Sequence, residues 1–367
     1  MAGHLAGKNI AVTGAGNGIG RGIALACASE GAKVVVADYG VTMDGSDPSS
    51  EVADVVVDEI RAAGGTAIAV AGDVSEMAVG QRIVDTAVQN WGTIDGVVCV
   101  AGIVRERMLF NMSEEEFDHV VRVHLKGHFT LYRAASAVMR KQETGGSLVG
   151  FTSGAFVAST AQANYSAAKG GIVSLTRSAA FALRRYGINA NCIAPAAMTR
   201  MSENVPFEIE AGGPEAIAPL AVYLLSDAAR DTTAQIYTCT GKRIAVWNQP
   251  EELRHMSADD GEMFTVDEIA DRARGEAQPV GQHFLGMFAQ IRGRGRVCCL
   301  AVRDDGEFYP IKKGKLTTLG VLFPIPIKTA DGKHTALEVL LEHEGPRAHE
   351  IEVNRGHVSV ALIQLRL

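Results

Sequence analysis

A short apolar run, Lys8-Asn9-Ile10-Ala11-Val12-Thr13, leads directly into Gly14-Ala15-Gly16-Asn17-Gly18-Ile19-Gly20, and a helical pattern continues to Ser29. A buried strand, a glycine turn and a helix start in that order form a phosphate site. Backbone N–H groups and the helix N-terminus face the anion, and the glycines let the main chain turn and approach it closely. The spacing is Gly-x-x-x-Gly-x-Gly (14, 18, 20) rather than the commoner Gly-x-Gly-x-x-Gly. A glycine-rich surface loop is the plainer alternative.

The following residues decide between the two. A second strand, Lys33–Asp38, ends in an acid. A carboxylate there can accept hydrogen bonds from the adenosine ribose hydroxyls and repel a 2′-phosphate. No Arg or Lys directly follows it, which argues for NAD over NADP. Capping of the next turn is the other use for Asp38. A polar loop (41–50) and a helix over about 51–63 precede the strand 66–71, which ends Gly72-Asp73-Val74. Asp73 either meets an adenine edge or caps the helix over about 77–91. The strand 96–100 ends Cys99-Val100-Ala101-Gly102. Strands alternating with helices of this length predict a parallel, doubly wound sheet. The ligand crevice of such a sheet lies beyond the carboxyl ends of its strands. The glycine turn, Asp38, Asp73 and Ala101-Gly102 all fall there.

The alternation continues. A long helix is expected over about 113–141, carrying His124, and the strand 147–151 ends Thr152-Ser153-Gly154. Tyr165 opens the next helix, which runs to about Tyr186 and places Lys169 one turn further on. Side chains four apart lie on one helix face. An ammonium beside a phenol favours the phenolate, making Tyr165 a candidate acid/base. Such pairs are also common on amphipathic surfaces. A strand over 188–193 ending Ala194-Pro195, a helix over 214–226 and a strand over 235–239 bring the expected count to seven.

Together these residues carry a resemblance. Residues 5–247 resemble a short-chain dehydrogenase/reductase through Thr13-Gly14-x-x-x-Gly18-x-Gly20, Ala101-Gly102, Ser153, Tyr165-x-x-x-Lys169 and the Pro195 turn. A closer likeness is to the (3R)-hydroxyacyl-CoA dehydrogenase domain of the peroxisomal multifunctional enzymes (the 17β-hydroxysteroid dehydrogenase type 4 group) and its bacterial relatives. Val36–Gly40, Arg105-Glu106-Arg107, Val123–Gly127, Gln162–Lys169 and Asn191–Pro195 carry it. The resemblance implies a Rossmann fold and an NAD-dependent enzyme interconverting a secondary alcohol and a ketone. The implied substrate is a (3R)-hydroxyacyl-CoA or a 17β-hydroxysteroid. It implies Ser153, Tyr165, Lys169 and His124 as catalytic residues. It implies Gly14, Asn17, Gly18, Ile19, Gly20, Asp38, Asp73, Val74, Ala101, Gly102, Tyr165, Lys169, Pro195 and Thr199 around the cofactor. It also implies a homo-oligomer assembled through the helices near 113–141 and 165–186. A 3-oxoacyl-thioester reductase, or an NAD-sensing interaction protein on the same fold, are the alternatives.

Four positions depart from the family pattern. Cys99 and Val100 stand where two asparagines are usual, removing amides that hold the turn near the adenosine. His124 replaces the usual helix asparagine. It holds a relay water through its ring or its backbone carbonyl, or serves only as a packing histidine. Ser153 lies 12 residues before Tyr165 rather than 13, so Thr152 is the second candidate for the catalytic hydroxyl. Pro195-Ala196 replaces Pro-Gly, with less φ freedom.

Residues 196–214 stand where family members carry a substrate lid. Met198, Met201, Val205, Phe207 and Ile209 suit an acyl chain or steroid, or ordinary loop packing. Arg200 is either a CoA-phosphate ligand or a solvated residue. The expected domains are 1–249 for the dehydrogenase, 250–280 for an extension and 281–367 for a small, mostly antiparallel β module with no family likeness. In the module, Arg292/Arg294/Arg296 and Lys312/Lys313/Lys315 read as solvated loops, and His334, His343, His349 and His357 lack metal-ligand spacing. No metal site is expected. A net charge of −7 gives no electrostatic case for nucleic acid. Six cysteines without regular spacing, no leader-like N-terminus and no apolar run of ~20 residues predict a reduced, cytoplasmic protein without a membrane span.

Overall fold

The computed structural model describes residues 3–42, 45–46, 48–49, 51–157, 159–197, 212–248, 250 and 263–273, with six short strands between 291 and 362. The chain divides into two compact units, Met1–Gln249 and Pro250–Leu367. Met198, Thr199, Arg200, Met201, Val205, Phe207 and Ile209, and the side chains of the C-terminal basic clusters and histidines, lie outside the described residues.

The first unit alternates strictly. Its strands are β1 (Asn9–Thr13), β2 (Lys33–Asp38), β3 (Thr66–Ala71), β4 (Gly96–Cys99), β5 (Gly146–Phe151), β6 (Ile188–Pro195), β7 (Ile236–Cys239) and β8 (Ile244–Val246). They pair in the order β3-β2-β1-β4-β5-β6-β7-β8. The helices are α1 (Gly18–Ser29), α2 (Glu51–Ala62), α3 (Met77–Trp91), α4 (Glu114–Val121), α5 (Gly127–Gln142), α6 (Ala163–Leu183) and α7 (Ala218–Leu225). Successive strand residues face opposite sides. Ile10, Val12, Val34 and Val36 pack toward α1, α2 and α7, while Ala11, Val35 and Ala37 pack toward α3, α5 and α6. Both sheet faces are therefore covered, as a parallel sheet requires.

The sheet corrects the expectation of seven parallel strands. An eighth strand, β8, pairs antiparallel with β7. It follows a tight turn in which Gly241 is left-handed (φ 85) and Thr240 N–H donates to the Arg243 carbonyl. Three residues behind Lys242-Arg243 are too few to show a period. The long helix expected over 113–141 is three pieces: α4, a π-helical turn at Arg122–Lys126, and α5. Ser113 is the N-cap of α4, closing a capping box with Glu116. The helix expected from Pro214 begins as a 3₁₀ turn (Pro214–Ile217) before α7, because Pro219 lacks the N–H that a continuous ladder needs.

The second unit contains a helix, α8 (Val266–Ala273), and three antiparallel strand pairs. These are Ile291–Gly293 with Arg296–Cys298, Phe323–Lys328 with His334–Val339, and His349–Glu352 with Ser359–Leu362. No helix among the described residues is long and apolar enough to cross a membrane.

Candidate active site

The glycine turn is shaped by close backbone contacts. Gly14 is left-handed (φ 64), and a Cβ there would stand 2.7 Å from the Ala101 amide nitrogen. A Cβ on Gly20 would meet the Gly14 carbonyl oxygen at 2.1 Å. Gly18 is also left-handed (φ 54), but its missing Cβ faces open space. It begins α1, whose N-cap Asn17 makes no side-chain capping bond, so no side chain of its own blocks an anion from that helix end. Ile19 packs on the core beneath the turn.

Asp38, at the tip of β2, accepts from the Gly16 and Gly40 N–H groups at 2.7 Å each, one on each carboxylate oxygen. The acid thus holds the glycine turn against β2, and each oxygen keeps a lone pair for a further donor. Tyr39 and Gly40, neither of them cationic, follow it. The strand end at Ala101-Gly102 is held differently from the family pattern. The Thr13 hydroxyl accepts from the Val100 and Ala101 amides at 3.2 and 3.4 Å, with Cys99 buried and Val100 packed on the core. The turn needs no asparagine for those two bonds. This open anion end, glycine cradle and acid fit a nicotinamide dinucleotide.

Asp73 does not stand free at its strand end. Its carboxylate accepts from Ser75 N–H at 2.8 Å and pairs with Arg122 of the π turn, which also donates to Ser75 Oγ at 2.9 Å. These bonds hold its carboxyl below the usual range despite the opposing effect of burial. Val74 is buried, and its carbonyl accepts from Thr130 Oγ1 at 2.6 Å. Both residues tie β3 to the π turn and α5. Pro195 ends β6, and Ala196 N–H donates to the Cys239 carbonyl at 2.8 Å. Ala196 is not among the left-handed residues, so the missing glycine costs no strain.

Between β5 and α6 the structure brings Ser153, Tyr165, Lys169 and His124 together. The geometry separates the two candidate hydroxyls. Thr152 is buried and donates to the Lys169 carbonyl at 2.9 Å, anchoring α6. Ser153 has extended backbone (φ −159), accepts from Ala155 N–H, and acts on the Tyr165 phenol, opposing the upward shift of its pKa. Tyr165 is the third residue of α6 rather than its first. Asn164 beside it is fully buried. It donates to the Arg105 and Glu116 carbonyls at 2.9 Å and accepts from Tyr165 N–H at 2.7 Å.

The electrostatics correct one expectation. The Lys169 ammonium lies 5.2 Å from the Tyr165 ring centroid and donates to the Phe151 carbonyl at 2.7 Å, not to the phenol. Burial pushes the phenol up to about 12, with the Ser153 hydrogen bond opposing. Burial also pushes Lys169 down to about 7. Withdrawal from water outweighs a cation placed over the ring face rather than at the oxygen.

His124 is buried in the π turn, with its ring edge-on to Tyr165 (centroids 5.1 Å, 89°). Its Nε2 lies 2.8 Å from the Ile103 carbonyl and 3.1 Å from the Ile103 amide nitrogen, and Nδ1 has no partner among the described residues. Burial, reinforced by the Lys169 charge, keeps the ring neutral. A Cβ on Gly102 would stand 2.1 Å from His124 Cε1, so this glycine is what admits the ring. The His124 carbonyl accepts from His128 Nδ1 at 2.7 Å. His128 was not a sequence candidate, although two histidines four apart on a helix were a visible signal. Thr13 and Asn164, which stand inside the quoted motifs but were not named as site residues, also act here. Among the described residues no cluster could hold a metal ion.

Comparison with known proteins places these features. The chain matches the short chain dehydrogenase family over residues 8–208. It is 43% identical over 275 residues to hydroxyacyl-CoA dehydrogenase ChsB1 of Mycobacterium tuberculosis, covering 70% of this chain and 84% of that one. It is 42% identical over 227 residues to the peroxisomal multifunctional enzyme type 2 of Mus musculus, covering 61% of this chain but only 30% of that enzyme. A crystal structure of a short chain dehydrogenase from Mycobacterium avium superposes with a TM-score of 0.66 at 41% identity, over 76% of this chain and 98% of that one.

Proposed function

Because the chain belongs to the short chain dehydrogenase family, we propose that it oxidises a (3R)-hydroxyacyl-CoA to the 3-oxoacyl-CoA with NAD. The family makes it an oxidoreductase acting on CH–OH with a nicotinamide cofactor; the acyl-CoA substrate and the choice of NAD are the further steps. One observation carries the chemistry: Ser153 at the end of β5 and Tyr165 on α6 converge over a buried Lys169, whose ammonium lies 5.2 Å from the phenol ring centroid. The names of two relatives, a hydroxyacyl-CoA dehydrogenase and a peroxisomal multifunctional enzyme, support the substrate class.

The glycine turn, Asp38 and Ala101-Gly102 would hold NAD, which when bound would supply the acceptor for the hydride leaving the carbinol carbon. Tyr165 Oη takes the hydroxyl proton. Ser153 positions the substrate oxygen and stabilises the charge that develops on it. Lys169 contributes a positive field at the phenol, and the Phe151 carbonyl fixes where that field originates. Asp38 supports NAD because a 2′-phosphate would bring negative charge against a carboxylate that no Arg or Lys directly follows.

Turnover of a (3R)-hydroxyacyl-CoA with NAD, beside a 17β-hydroxysteroid and a 3-oxoacyl thioester, tests the reading. Oxidation of the acyl-CoA, at least about 1000-fold slower in Tyr165→Phe, is expected. Full activity in that variant would overturn the mechanism. Tight NAD binding without turnover of any of the three would instead favour a sensor. Asp38→Ala should narrow the preference for NAD over NADP. The reading includes a homo-oligomer, supported by exposed rings on α4, α5 and α6 (Phe117, Phe129, Phe181). A monomer in sedimentation would remove that part.

A further inference from the structure

His128 is buried one helical turn beyond His124, and both of its ring nitrogens are engaged. Phe151 N–H can only donate, so His128 Nε2, at 3.1 Å, accepts. The proton therefore sits on Nδ1, which donates to the His124 carbonyl at 2.7 Å. One neutral tautomer satisfies both contacts. The peptide unit that the ring meets is the last of β5. Its residue, Phe151, donates through N–H to His128 and accepts the Lys169 ammonium on its carbonyl at 2.7 Å. The opposite end of the ring bond falls in the π turn, whose frame carries His124 under the Tyr165 ring. A single side chain thus spans the two elements that support the acid/base group from below.

We propose that His128 is a positioning residue for proton transfer. It locks the π turn to the end of β5, so that the Phe151 carbonyl holds the Lys169 ammonium at a fixed place beneath Tyr165. This rests on the reading of Tyr165 and Lys169 given above. Each bond fixes a partner that the chemistry depends on: the His124 frame on one side and the Phe151 residue on the other. The two contacts lie on the peptide groups either side of the Phe151 Cα, so an N–H held by imidazole fixes the backbone from which the carbonyl reaches the cation. His124, His128, Tyr165 and Cys192 are the titratable groups around that ammonium.

Three variants and one spectroscopic measurement test this. His128→Phe keeps the ring volume and removes both bonds. His128→Gln reaches the Phe151 amide with its carbonyl oxygen, while His128→Asn reaches only the His124 carbonyl. The expectation for His128→Phe is a fall in kcat of about tenfold, as loss of one to two net hydrogen bonds implies, with KM for cofactor and alcohol changed less than about twofold. In the ketone-reduction direction, the upper limb of its pH profile should shift to lower pH, because a less firmly held ammonium loses its proton sooner. His128→Gln should recover more kcat than His128→Asn. Unchanged kcat and pH limb in folded His128→Phe would overturn the proposal, as would recovery by Asn but not Gln. If none of the variants folds, ¹⁵N NMR of labelled histidine in the wild type decides. A fixed Nδ1–H form of His128 from pH 6 to 8 is expected, and a titrating or averaged ring sinks the idea. Tyr165→Phe run in parallel keeps the two readings apart. If it retains activity the mechanism fails; if it is inactive while the His128 variants are unimpaired, only the positioning role fails.

Discussion

Two adjacent hydroxyls at the end of β5 show how a single residue's backbone decides its use. Thr152 points into the protein and ties α6 through the Lys169 carbonyl. Ser153, extended and partly open, is the one that acts on the phenol. The common spacing pointed to Thr152 although Ser153 was the first candidate, and backbone geometry separates them because one residue of offset reverses the face of an extended chain. The two should fail differently. Ser153→Ala is expected to lower kcat about 100-fold with stability unchanged, as removal of one charge-stabilising donor does. Thr152→Val, an isostere without the donor, should cost about 1 kcal/mol of stability with a much smaller loss of kcat. Steady-state kinetics and urea unfolding of both variants check this, and equal loss of kcat would put both hydroxyls in the chemistry. Tyr165 and Lys169 were legible as a pair from their spacing. Their pKa values were not, because burial raises the phenol and lowers the amine, and no pattern of four residues reports burial.

Elements were legible where a period ran long and illegible where it broke. The strand–helix alternation and the strand ends came from apolar runs bounded by glycine and acid, and they placed the crevice. The division of the helix over 113–141 did not, because a π turn preserves an apolar stripe while adding one residue to it. That inserted turn is what carries His124 to Tyr165. The far end of α5 carries an unrelated strain. Glu143 caps it in the left-handed region (φ 58), where glycine has no Cβ penalty. Glu143→Gly should stabilise the first unit by about 0.5–1 kcal/mol, the steric relief less the entropy of an added glycine. For a unit of this size a rise in Tm of roughly 2–4 °C follows. Calorimetry checks it, with kcat expected to stay unchanged because the cap is remote from the named site residues. A fall in Tm would mean that the Glu143 side chain contributes more than its backbone costs.

On the scale of the whole first unit, the site is built by burying groups that prefer water, and stability must record that. Lys169 has a folded value near 7 against about 10.4 for the unfolded chain. Between those values the unfolded chain binds more protons, so stability rises with pH from about 7 to 10. His128 is pushed down to about 3 by burial, against about 6.5 unfolded. The same sign applies, so stability also rises from about pH 3 to 6.5, and acid unfolds the unit in part by charging this ring. Tyr165 acts oppositely at the alkaline end. Its phenol is raised to about 12, so above pH 10 the unfolded chain releases its proton first and stability falls. Both tryptophans, Trp91 and Trp247, belong to the first unit, so fluorescence-detected urea unfolding reads that unit alone. Burial also raises the thiols of Cys27, Cys99 and Cys192, which act oppositely above about pH 8.5. Urea midpoints should therefore climb in two windows, below about pH 6.5 and again from about 7 to 8.5. Lys169→Met should flatten the upper window and leave the lower. His128→Gln should reduce the rise in the lower window, because an amide does not titrate there, and leave the part that buried His124 contributes. Wild-type midpoints that stay level from about pH 7 to 8.5, below the range in which the thiols titrate, would mean that Lys169 keeps its ordinary value in the folded protein. The buried amine would then be no source of the pH dependence expected of this site.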